Sequence, residues 1–161
     1  MAGVSDQIGR GGEAPALSNV PVADLLGGSL TSAMGLLAAL FDAQRTGCGR
    51  HVDIAMADAM LAHAVVPMLT LAVHGQTRPA GADRLSGALP CYSVYRTGDG
   101  RHLAVGALER KFWDRFCDVI GREDLKPLHL PKDAATADSV RSDLAELIGS
   151  RTLAEWHPPW R

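Results

Sequence analysis

The stretch CYSVYRTGDGRHLAVGALERKFWDRFCDVIG, Cys91 to Gly121, changes its periodicity half-way. Its first half reads as a β-hairpin. Tyr92, Val94 and Arg96 lead in, Asp99-Gly100 supplies the turn, and His102 to Val105 return. The second half has helical spacing, with Phe112, Phe116, Val119 and Ile120 on one stripe and Gly121 as the stop. Trp113 and Phe116 read as packing residues. A hairpin running straight into an amphipathic helix requires a mixed α/β unit, because each element has one apolar side to bury.

Beyond Gly121, REDLKPLHLPKDAATAD reads as loop with a short helix at most, and Ser139 to Ile148 as a further helix. SRTLAEW opens another. Ser150 or Thr152 is its cap, and Glu155, three residues after Thr152, completes a capping-box pattern. The final HPPWR puts two prolines after one turn of new helix, a poor way to finish a domain.

Before the hairpin, HGQTRPAGADRLSGALP is polar and rich in Gly and Pro. It predicts a linker over 76–90 between a first part, 1–75, and a second, 91–161. The first part begins with a loop, Met1 to Val20; its GRGGE has neither a preceding strand nor a following Lys and is no phosphate loop. A helix fits Leu25 to Gln44, with Leu26, Leu30, Met34, Leu37 and Phe41 in register, and Gly27, Gly28, Ser29, Ala33 and Gly35 keeping one side small. Asp24 stands alone among apolar and small residues at its start, and an N-cap is its plainest reading. RTGCGR closes the helix. HVDIAM alternates as a short strand, and Asp58 caps a helix from Ala59 to Val73. The run Ile54 to Val73 is about long enough to span a bilayer. Asp58, His63 and Pro67 interrupt it and basic flanks are missing, so a buried helix is expected instead, with His63 a hydrogen-bonded core residue.

With 161 residues, 47% apolar and 21% charged, the chain reads as soluble and globular. A net charge of −2 gives no electrostatic case for nucleic acid or anionic membrane. Cys48, Cys91 and Cys117 are odd in number and far apart, which favours reduced thiols in a cytosol. Cys48 and His51 lack further ligands at metal spacing, so no metal site is expected. The N-terminus lacks the pattern of a signal peptide. These features predict a cytoplasmic protein.

The order of features is specific: ADLLGGSL, then GLLAALFDAQRTGCGRHVDIAMADA, then YRTGDGRHLAVGALE. From about Ala2 to Trp156 the chain resembles the family III CoA-transferases (the CaiB/BaiF group), and Glu109 makes it more similar to the α-methylacyl-CoA racemase branch. The resemblance implies the α/β fold of that family in part: helical elements of its large domain and a small α/β domain with a hairpin. It implies an internal piece, without the family's Rossmann-like CoA-binding half, its catalytic histidine and its C-terminal segment. It further implies an acyl-CoA substrate, no covalently bound cofactor, and an interlocked homodimer for the full-length family.

A racemase inverts the carbon beside a thioester carbonyl. One group removes the α-proton, another returns a proton on the opposite face, and the enolate oxygen between needs fixed donors. By resemblance Asp24 is one of the pair, Glu109 orients or tunes the absent histidine, and Gly27 and Gly28 let substrate approach the backbone. The transferase alternative uses Asp24 as a nucleophile that carries CoA as an aspartyl thioester. A third reading is a catalytically dead folding or interaction module, whose uncovered apolar faces would make it associate.

Overall fold

Pro67 decides the course of the first half of the chain. It has no N–H, and its ring would clash with the carbonyl four residues earlier, that of His63. The apolar run therefore does not form one helix. In the computed structural model, which describes residues 3–157, it forms α2, Met56–His63, and α3, Val65–His74, bent by 65° at Ala64. Pro67 sits in the first turn of α3, where a missing donor costs nothing. Asp58 lies in the first turn of α2 rather than at its N-cap, which is Ala55. Only Ala59 and Met60 of the two helices are buried, so the expected buried helix is instead largely exposed. His63 is likewise exposed, although its Nδ1 lies 2.7 Å from the Ala59 carbonyl oxygen.

The chain divides into two compact units, Met1–Gly81 and Ala82–Arg161. In the first, a short 3-10 turn, Val4–Gln7, precedes a loop, and Gln7 Nε2 donates to the Arg78 carbonyl at 3.3 Å. A π-helix, Ala23–Leu30, then runs into α1, Thr31–Thr46. The wider winding shows at the junction, where the N–H of Thr31 donates to the carbonyl of Leu26, five residues back, and its Oγ1 to the same oxygen at 2.8 Å. This continuous helix, Ala23–Thr46, is long and apolar enough by length and composition to cross a bilayer. Gly27 and Gly28 lie where α2 crosses it. A Cβ on Gly27 would stand 3.0 Å from the Met56 carbonyl oxygen and 3.0 Å from Met60 Cγ. The pair thus admits a second helix at backbone distance.

HVDIAM is not a strand. Residues 48–55 are irregular, and no strand partner for them exists among the described residues. The alternation reflects packing on a helix: Val52 Cγ1 and Ile54 Cδ1 are 3.1 and 3.3 Å from where a Cβ of Gly35 in α1 would be.

The second unit follows the sequence more closely. β1, Tyr92–Arg96, pairs antiparallel with β2, His102–Gly106, in the register Tyr92↔Gly106 to Arg96↔His102. Gly100 adopts φ +77° in the turn. Asp99 Oδ1 accepts from Thr97 Oγ1 at 2.6 Å and from the Leu153 N–H at 3.2 Å, tying the turn to a later helix and holding the Asp99 carboxyl below its ordinary range. α4, Arg110–Ile120, ends at Gly121. Its buried residues are Trp113, Phe116 and Cys117; Phe112 is 47% exposed and does not belong to the buried stripe. α5 runs Ala134–Gly149, five residues earlier than Ser139, because Asp133 caps it by accepting from the Thr136 N–H at 2.8 Å. α6, Leu153–Trp156, carries the expected capping box of Thr152 and Glu155. Pro158 to Arg161 of the HPPWR terminus lie outside the described residues.

The core of this unit gathers Cys91, Tyr95, Trp113, Leu125, Leu144, Ile148 and Trp156 around the hairpin. Its polar atoms are paired: Trp113 Nε1 donates to the Leu125 carbonyl at 3.0 Å, Trp156 Nε1 to that of Ile148 at 3.0 Å, and the Tyr95 hydroxyl to that of Pro90 at 2.7 Å.

Candidate functional site

Asp24 is the second residue of the π-helix, inside its first turn. It is not the N-cap; that position belongs to Val22, in helical backbone and without a side-chain cap bond. Pro21 sets this start. Its φ is already helical, and its carbonyl accepts the Leu25 N–H at 2.9 Å. The Asp24 carboxylate is exposed and has no hydrogen-bond or ion-pair partner among the described residues.

Asp24 lines a cavity of about 690 Å³ that lies wholly within the first unit. Val20, Pro21, Met56 and Met60 supply much of its apolar wall, and Asp6 is a second carboxylate on its lining. The composition of the wall suits an apolar ligand body, with a carboxylate as its chemically active group. π-Helical segments recur at functional sites because their wider turn displaces side chains from α-helical register. The sequence pattern puts Met56 at the end of a short strand and Met60 in a helix; in the structure both belong to α2, and their spacing of four puts both on the face that meets Gly27 and Gly28.

Gly27, buried beneath Met60, and Gly28, whose missing Cβ would lie 3.3 Å from Met56 Sδ, share this helix with Asp24. Their open side within the unit is taken by α2. Glu109 belongs to the second unit. It is the N-cap residue of α4, with extended backbone, and its carbonyl accepts the N–H groups of Phe112 at 2.9 Å and Trp113 at 3.1 Å. Its side chain is exposed and makes no cap bond. Structure therefore brings Asp24, Gly27 and Gly28 together around one helix start and places Glu109 at another helix start in the other unit. No group of three His, Cys, Asp or Glu able to hold a metal occurs among the described residues.

The family model "CoA-transferase family III" matches residues 1–159. The chain belongs to CoA-transferase family III. It is 34% identical over 158 residues to the human alpha-methylacyl-CoA racemase, covering 97% of this chain and 41% of the relative. It is 28% identical over 160 residues to the succinyl-CoA:mesaconate CoA-transferase of Haloarcula marismortui, covering 96% and 40%. Among solved structures, the Mycobacterium tuberculosis protein Rv3272 superimposes with a TM-score of 0.70 at 22% identity, over 96% of this chain and 40% of that one. A CaiB/BaiF family protein from Brucella suis gives 0.67 at 22% identity, over 94% and 39%. These likenesses show that the chain has part of the family III CoA-transferase fold, its helical elements plus a small α/β part with a hairpin. The chain spans about two-fifths of the length of the curated relatives it matches.

Proposed function

We propose that this chain is the central part of an α-methylacyl-CoA racemase-like enzyme, with residues 1–75 belonging to its large domain and 91–161 to its small one. The observation that carries the reading is Asp24: an unpaired carboxylate in the first turn of a π-helix, on the wall of an apolar cavity. The racemase branch rather than the transferase branch is supported by Glu109 and by identities of 34% and 32% to the human and mouse racemases, against 28% to the mesaconate transferase.

In the reaction, the substrate is a 2-methylacyl-CoA thioester and no covalently held cofactor takes part. A base removes the proton from the carbon next to the thioester carbonyl, the electron pair moves onto the carbonyl oxygen, and a proton returns to the other face of that carbon. Asp24 is one of the two proton-transfer groups. The other is a histidine upstream of Met1 in the longer protein, and Glu109 acts as a positioning residue for it. Gly27 and Gly28 act through α2: they admit it closely enough for Met56 and Met60 to wall the cavity beside Asp24, where the N–H groups of the helix start stabilise negative charge. The longer protein is a cytoplasmic, interlocked homodimer without a membrane span, and the chain alone is inactive.

The test is exchange of the α-proton of a 2-methylacyl-CoA in deuterium oxide, run on this chain and on any in-frame longer product of the same locus. The expected result is exchange by the longer product, lost in Asp24→Asn, and none by the chain alone. Transfer of CoA to a free acid without α-proton exchange would replace the racemase with the aspartyl-thioester mechanism. Full exchange by the chain alone would refute the need for the missing histidine.

A further inference from the structure

Glu109 is carried by the short turn from Ala107 that joins β2 to α4. No cap bond holds its carboxylate, so the aim of that carboxylate depends on the backbone beneath it. The backbone is held at both ends of the turn. The Ala107 N–H donates to the Cys91 carbonyl at 2.8 Å, and the Glu109 carbonyl accepts from Phe112 and Trp113. The Ala107 carbonyl is held by a side chain from further along the chain, since His129 Nε2 lies 3.2 Å from it. A carbonyl oxygen only accepts, so this nitrogen carries the hydrogen.

His129 is buried, and its ring stacks on Trp113 at 5.9 Å. Trp113 stands one helical turn after Glu109 and bonds the Glu109 carbonyl through its own N–H. One imidazole therefore touches the chain on both sides of Glu109. The imidazole is itself firmly placed, because it follows a 3-10 turn, Glu123–Leu128. That turn is tied to α4 by Trp113 Nε1 on the Leu125 carbonyl and by the Lys126–Asp118 ion pair. Arg122, its N-cap, ties it to Asp143 of α5 at 2.7 Å. A buried histidine needs a hydrogen-bond partner whatever its role, and any acceptor in the core would meet that need. The acceptor it takes is the carbonyl two residues before Glu109. We propose, on the role given to Glu109 above, that His129 is a positioning residue for Glu109: its N–H fixes the peptide plane after Ala107, and its ring fixes the first turn of α4. Without the donor, that plane can rotate and the carboxylate loses its fixed aim.

Two substitutions separate the donor from the ring. His129→Phe keeps an aromatic ring against Trp113 and removes the donor; His129→Gln keeps an N–H donor and removes the ring. Amide order parameters from nuclear magnetic resonance read the turn in the 161-residue chain. At Leu108 and Glu109 they should stay near ~0.85 in the parent and in His129→Gln and fall toward ~0.6 in His129→Phe, while α5 keeps its order. Unchanged order at Leu108 and Glu109 in the Phe variant, or a loss spread equally through α5, would overturn the proposal. In the longer in-frame product, His129→Phe should lower kcat for α-proton exchange about ten- to hundredfold with KM within about twofold, and His129→Gln should restore most of it. In a Glu109→Gln background the Phe substitution should cost nothing further. An equal loss in both backgrounds marks a purely structural histidine and refutes the positioning role. If Glu109→Gln by itself leaves exchange unchanged, the role of Glu109 falls, and the order parameters alone decide whether His129 holds the turn.

Discussion

Trp113 is the side chain on which the second unit depends most. It is fully buried, its ring stacks on Phe116 at 5.6 Å and on the His129 ring at 5.9 Å, and its Nε1–H holds the Leu125 carbonyl at 3.0 Å. Two substitutions separate these contributions. Trp113→Phe keeps an aromatic ring but orphans the carbonyl of a residue only 2% exposed. The lost partner costs about 1–3 kcal/mol, and a loss of about 2 kcal/mol is expected. Trp113→Ala removes the ring as well and should cost about 4–5 kcal/mol in lost burial and cavity formation. A unit of this size has a stability of roughly 4–12 kcal/mol. The Ala variant should therefore lie near its unfolding threshold, and the Phe variant should remain folded. Urea unfolding followed by far-ultraviolet circular dichroism measures both, since it does not depend on the removed fluorophore. A Phe variant within about 0.5 kcal/mol of the parent would show that the indole hydrogen bond contributes nothing, and the packing argument would fail with it if the Ala variant lost less than about 2 kcal/mol.

Other consequences can be checked with simpler measurements. Asp133→Ala removes the cap of α5 and should lower the stability of the second unit by about 1 kcal/mol in the same urea assay, with Asp133→Ser retaining most of it. Burial pushes the Cys117 thiol up from 9.0 to about 11 and the Tyr95 hydroxyl up from 10.0 to about 12. The folded state holds these protons where the unfolded chain has released them, so their stability contribution is complete below pH 9 and declines as pH rises from about 9 through 12. Melting temperatures across that range test the sign. Of the three cysteines only Cys48 is exposed, so a thiol reagent should label one site rapidly in the folded chain and all three in denaturant. Met34, Leu37 and Phe41 share a face of α1 and are 64, 67 and 72% exposed. The chain should self-associate with rising concentration in sedimentation experiments, and Leu37→Glu together with Phe41→Glu should reduce this.

Elements whose signals are local were legible in the sequence. The hairpin follows from alternation around Asp99-Gly100, α4 from its period and from Gly121, and the start of α6 from the Thr152–Glu155 pair, because each is decided by residues within a few positions of one another. Asp133 is an equally local signal, and as the N-cap it starts α5 at Ala134 rather than near Ser139. The failures were those in which a distant element supplied the answer. Val52 and Ile54 alternate as in a strand, but the surface they meet is Gly35 on a helix. Phe112 has the right spacing for burial, yet Trp113 and Cys117 take the core because the hairpin packs on their side.

At the candidate site, the sequence by itself determined the carboxylate, the two glycines and, through the order of its motifs, the family. Only the tertiary structure decided that Asp24 is an exposed first-turn residue of a π-helix rather than a cap, and that Asp6, Met56 and Met60 join it around one cavity. The physical reason lies at Gly27. Its missing side chain lets the Met56 carbonyl of α2 come within 3.0 Å of where a Cβ would stand, a contact between residues too far apart in the sequence for any local pattern to encode it.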